Sequence, residues 1–152
     1  MDNAYKILKD KHQAEVNALP IKFAFGKDQF KRCMSEWGLT EHQTDMLYGL
    51  GDTGGFYLKT DSDLILGTLK RHTQEMETAI SENANGCFVF DMFCYELANH
   101  EYGYTGDLTD TLEALGLTLN EVKQNNVLNI SLNNAIESVC RDSEVIQEIE
   151  RA

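Results

Sequence analysis

Glu96, His100 and Glu101 stand close together in the run YELANHEYGYTGDLTDTLEALGLT, with Asp107 and Asp110 shortly after them. A carboxylate one helical turn before an imidazole could serve as an acid–base couple or as two metal ligands. If residues 87–102 wind as one helix, Val89, Phe90, Phe93, Cys94 and Leu97 share a face, and His100 and Glu101 sit at its two edges. The simpler reading is structural. A histidine in the last turn of a helix complements the helix dipole, and acidic residues at the start of the next helix do the same at its positive end. No complete catalytic set surrounds the pair, so the structural reading is preferred and Glu96, His100 and Glu101 stand as the enzymatic alternative.

His12, His72 and His100 each fall on the apolar stripe of a predicted helix. Converging, they would form a zinc or transition-metal site, because neutral imidazoles and a carboxylate make an ordinary coordination set. Apart, they are three histidines hydrogen-bonded at core margins, which is the commoner arrangement. His42, in the polar stretch EHQTD, is expected to be exposed. The loop Gly51-Asp52-Thr53-Gly54-Gly55 could cradle a phosphate with its backbone N–H groups. It lacks the Lys-Ser or Lys-Thr of a P-loop and leads into a strand, so a hairpin turn is the better expectation. No nucleophile elbow is present and no cofactor is implied. Cys33, Cys87, Cys94 and Cys140 form no C-x-x-C pair. Cys87 and Cys94, about 10 Å apart along one helix, read as small reduced core residues in a cytosolic protein.

The elements that must position these residues follow from periodicity. Tyr5, Leu8, His12, Val16 and Leu19 form one stripe of a helix ended by Pro20. IKFAF at 21–25 reads as a strand, 27–37 as a helix stopped by Gly38, and DMLYGL with GFYLK as a hairpin around the glycine loop. Helices are predicted over 61–82, with Thr60 or Asp61 as cap, and over 87–102. A short one follows at 107–115, capped by Asp107 and stopped by Gly116. Thr118 and Glu121 have capping-box spacing. A final amphipathic helix at 131–149 turns Leu132, Ala135, Ile136, Val139 and Ile146 inward, and can pack internally or against a second copy. The expectation is an α+β fold with a small, antiparallel-containing sheet of about three strands and four to six helices around it. Residues 1–152 form a single domain with one core: an N-terminal helix (1–20), a β-α-β-β unit (21–60) and a helical part (61–152).

Charge narrows the partners. The 152 residues carry 13 Lys and Arg against 25 Asp and Glu, a net charge of −12. Such a field repels nucleic acid and anionic membranes and steers cationic partners inward. LEALGLTLNEV superficially resembles a helix-turn-helix, yet Lys123 is its only nearby cation among Asp107, Asp110, Glu113 and Glu121. Those four carboxylates are the candidate partner-binding face, standing where phosphates would. No apolar run is long enough for a membrane span, and the N-terminus lacks an apolar signal core.

The run YELANHEYGYTGDLTDTLEALGLT, with FAFGKDQF and the hairpin end GGFYLKTD, resembles a family of small proteins of unknown function encoded by bacteriophages and mobile elements. The similarity covers most of residues 21–124. It implies a phage or prophage accessory protein in a bacterial cytoplasm and supplies no active site; joined to the acidic charge, it leads to the expectation of a non-enzymatic protein that binds a host or defence protein with a basic surface.

Overall fold

The computed structural model describes residues 2–151. In chain order the elements are α1 (Ala4–Asn17), β1 (Lys22–Phe23), α2 (Lys27–Glu36), β2 (Leu47–Gly49), β3 (Gly55–Leu58), α3 (Ser62–Glu82), α4 (Phe88–Asn99), α5 (Tyr102–Thr105), α6 (Thr109–Leu115), α7 (Leu119–Gln124) and α8 (Asn126–Arg151). This is an α+β protein whose sheet has the order β1-β3-β2, both pairings antiparallel. Eight α-helices occur among the described residues, more than the four to six expected. The surplus is short pieces such as the single turn of α5.

The chain divides into two compact units, one spanning His12–Glu75 and the other joining the residues up to Lys11 with those from Met76 on. In the first unit β3 is central and β1 and β2 are its edges. The hairpin closes as its residues demand: Thr53 donates its hydroxyl to the Leu50 carbonyl at 2.7 Å and accepts from the Gly55 N–H at 3.1 Å. Gly54 is left-handed at φ 77°, and a Cβ on either Gly54 or Gly55 would come within 2.9 Å of the Phe25 or Phe23 ring. A turn needing positive φ and bare backbone under two aromatic rings explains the glycines without a phosphate. Met34, Phe56, Tyr57 and Ile65 are buried in this unit, with Phe30 and Trp37 packed on Phe56. α2 ends in a Schellman turn at Gly38, φ 72°.

The second unit is helical. α4 buries Val89, Met92, Phe93, Glu96 and Leu97 at three- and four-residue spacing, and α8 answers with Leu128, Leu132 and Ala135. Tyr5, Leu112 and Val122 complete the cluster. Burying side chains such as Phe93 and Leu97 stabilises the unit by about 1.5–3 kcal/mol each.

Several expectations need correction. α4 stops at Asn99, with His100 closing it at φ −103° and Glu101 left-handed at φ 56°, so residues 87–102 are not one helix. The run Tyr102–Gly106, expected only as an interruption, contains α5. Cys87 is exposed at the start of α4 instead of buried, while Cys94 is half-buried and its thiol is pushed up to about 11, first by burial and then by Asp91 and Asp142. The chain enters α3 through a 3-10 turn at Lys59–Asp61 with no side-chain cap on that turn. α6 begins after Leu108, two residues beyond Asp107, although Asp107 still accepts the Thr109 N–H at 2.9 Å. α8 begins five residues earlier than expected, and Ile146 is 46% exposed.

Candidate functional site

Glu96 is the most unusual side chain of the helical unit, a carboxylate with no exposure in the middle of an apolar helix face. Burying an ion without partners is costly, and α1 supplies the partners. Tyr5 donates its hydroxyl to Oε1 at 2.7 Å, and the Lys9 ammonium donates to the same oxygen at 2.6 Å. Tyr5 and Lys9 are four residues apart, hence on one face of α1. Burial pushes the Glu96 carboxyl up, but the hydrogen bonds from Lys9 and Tyr5 and the Lys9 charge outweigh it. The group is held below the usual carboxylate range. Burial and the same carboxylate push the Tyr5 phenol far upward, so it remains a proton donor in the pair.

His100 lies on the other oxygen. Its Nε2 is 3.3 Å from Glu96 Oε2, an ion-pair distance, yet the alignment does not make a hydrogen bond. These two are the polar side-chain atoms that are themselves fully buried and left without a hydrogen-bond partner among the described residues. The predicted Glu96–His100 pairing is therefore present in space. Glu101 does not join it, being exposed at the left-handed turn after α4. Tyr5 and Lys9 were missed by sequence reasoning. Their only signal is a lysine four residues from a tyrosine on an otherwise apolar stripe.

In the sheet-bearing unit His12 and His72 stack with ring centroids 4.0 Å apart and planes 13° from parallel. Each Nε2 meets a carboxylate, His12 on Glu75 at 2.8 Å and His72 on Glu15 at 2.7 Å. Because ionised carboxylates only accept, each Nε2 carries the donated hydrogen. Arg71 pairs with both Glu15 and Glu75, and hydrogen bonds from His72 and Arg71 lower the Glu15 carboxyl. These five side chains tie α1 to α3, with each Nε2 already engaged. His12, His72 and His100 do not form one set: among the described residues no group of three or more His, Cys, Asp or Glu is arranged to hold a metal ion. His42 is exposed, as expected.

The candidate partner-binding residues Asp107, Asp110, Glu113 and Glu121 are all exposed. Two also hold local hydrogen bonds, Asp107 in the turn before α6 and Glu121 in a helix cap. Asp107 accepts from the Thr109 hydroxyl and N–H, which lower its carboxyl. Glu121 accepts the Thr118 N–H at 2.7 Å while Thr118 accepts the Glu121 N–H at 3.2 Å, the capping box anticipated from spacing. No helix of the described residues is long and apolar enough to cross a membrane.

Fold and site together define an α+β protein with a helical unit built on a Tyr–Lys–Glu–His cluster around one buried carboxylate and a sheet-bearing unit clasped by paired histidines. The chain belongs to the Family of unknown function (DUF7659), whose model matches residues 4–138. The match takes in both clusters, since Tyr5 and Lys9 as well as His12 and His100 lie within it. No curated protein and no solved structure matches the chain.

Proposed function

We propose that this chain is a non-enzymatic accessory protein of a bacteriophage or mobile element. It binds a host or defence protein in the bacterial cytoplasm through the acidic face of its helical unit. The observation that carries the reading is the placement of charge. The helical unit holds sixteen Asp and Glu against six Lys and Arg, and Asp107, Asp110, Glu113 and Glu121 stand exposed on it. A partner that ordinarily grips nucleic acid presents cations spaced for phosphates, and such a surface is attracted to solvated carboxylates over the same range. The resemblance to phage and mobile-element proteins supplies the biological setting. Against the enzymatic alternative stands the burial of Glu96: it has no exposure and its Oε1 is held by Lys9 and Tyr5.

The test compares the native chain with Asp107→Asn/Asp110→Asn/Glu113→Gln, which removes three charges and leaves the Glu121 cap intact. The native chain should retain a basic bacterial partner at low ionic strength and release it at high ionic strength, while the triple variant retains at least tenfold less. Equal capture by both, or capture indifferent to salt, overturns the reading. A hydrolytic or transfer activity lost in His100→Ala would replace it with the enzymatic one.

A further inference from the structure

We propose that a cavity beside α5 and α8 receives an arginine side chain of the basic partner, its guanidinium meeting Glu101 and Asp142 and lying against the Tyr104 ring. This rests on the acidic-face reading and specifies the partner's contacting group. The cavity, of about 230 Å³, is lined by Tyr104, Val139 and Ile146 together with Glu101, Asp142 and Ser143. That is smaller than the roughly 300–1,000 Å³ of small-molecule sites and suits one inserted side chain.

The lining has the chemistry of an arginine in negative. Val139 and Ile146 offer apolar wall to a methylene stem, which long cationic side chains bury while their heads stay polar. This gives Ile146, 46% exposed on α8, something to cover. Tyr104 is 61% exposed, leaving a ring face free for cation–π contact. Glu101 and Asp142 are exposed carboxylates and neither has an ion-pair partner among the described residues. Ser143 adds an independent sign. It is only 9% exposed, it lines the cavity, and among the described residues its hydroxyl makes no hydrogen bond.

Two carboxylates and a hydroxyl offer acceptors in more than one direction. A guanidinium carries five donors in a planar fork and stacks on aromatic rings, whereas an ammonium is a compact, strongly hydrated point charge. The backbone is committed to this shape. Glu101 takes up φ 56°, a costly conformation for a residue with a Cβ. Gly103 allows α5 to approach α8 so closely that a Cβ there would overlap the Ser143 hydroxyl.

The experiment titrates the full chain with acetyl-Gly-Arg-Gly-amide, and with its lysine and citrulline counterparts, following backbone amides by NMR. The arginine peptide should shift Gly103, Tyr104 and Ser143, and the uncharged citrulline peptide should bind at least tenfold more weakly. Asp142→Asn should weaken the arginine peptide about tenfold, and Tyr104→Leu, which keeps an apolar wall, severalfold, both with unchanged circular dichroism. Equal binding of citrulline or lysine overturns the assignment, as does absence of shifts at those three amides. If the peptide instead perturbs α6 and α7 and ignores Asp142→Asn, the cavity is wrong while the acidic-face reading stands. If the cavity binds arginine but no salt-sensitive partner is captured, the reverse holds.

Discussion

Counted by unit, the chain's charge is divided very unevenly. The residues of His12–Glu75 carry nine Asp and Glu against seven Lys and Arg, whereas the helical unit carries sixteen against six. The two also hold their charges differently. The sheet-bearing unit pairs three of its carboxylates closely, with Glu15 and Glu75 each shared by a histidine and Arg71, and Lys22 on Glu36. The helical unit sinks one carboxylate into its core and leaves many at its surface. Cations nearly balance the carboxylates of one unit in number, whereas most carboxylates of the other have only solvent to screen them. A large single-sign field is weak evidence for stability and good evidence for steering, so the difference supports the proposal of an interface on the helical unit.

The sharpest way to break this comparison is to remove the buried carboxylate. Glu96→Ala leaves Lys9, Tyr5 and His100 facing an empty apolar face, and should destabilise by about 3–5 kcal/mol, read from urea unfolding. Amide exchange should accelerate first in α4 and α8. His72→Ala should cost less, about 2 kcal/mol, because the partly exposed pairs it breaks are screened by solvent. Its accelerated exchange should be confined to residues 12–75. If both variants loosen the whole chain equally, the two units do not unfold separately and the contrast is one of charge only.

The pH dependence follows from the same carboxylate. The folded carboxyl of Glu96 titrates below its unfolded value of about 4.3. Between the two values the unfolded state binds more protons, so stability is present above the unfolded value and is lost as pH falls through the folded one. Urea midpoints measured between pH 5 and pH 3 should fall less steeply in Glu96→Gln than in the native chain. An unchanged slope would mean that other carboxylates dominate acid unfolding.

The smallest effect is the most pointed. Glu101→Gly relieves a left-handed non-glycine residue and should leave the chain between unchanged and about 1 kcal/mol more stable. It should also weaken arginine-peptide binding severalfold. A stabilised variant with full binding would remove Glu101 from the cavity's chemistry.

Much of the local structure was legible in advance because its causes are local. The Thr118–Glu121 box, the left-handed stops at Gly38 and Gly116 and the turn at Gly54 each depend on residues within a few positions of one another. The end of α4 was not legible. His100 and Glu101 are compatible with one more turn of helix, and only the docking of α5 on α8, through Gly103 and Ser143, turns the chain there. The stacking of His12 on His72 was likewise invisible, since periodicity shows that two imidazoles face inward without showing what they face.

By itself the amino-acid sequence determined the α+β class, the hairpin, most helix ends and the excess of negative charge, all of which follow from short-range sterics, periodicity or composition. Tertiary structure alone decided that Glu96 is an ion held by Tyr5 and Lys9, that Glu101 leaves the helix, and that Tyr104, Asp142 and Ser143 share one cavity. Those residues are brought together by the packing of helices distant in the chain, and no local preference encodes that meeting.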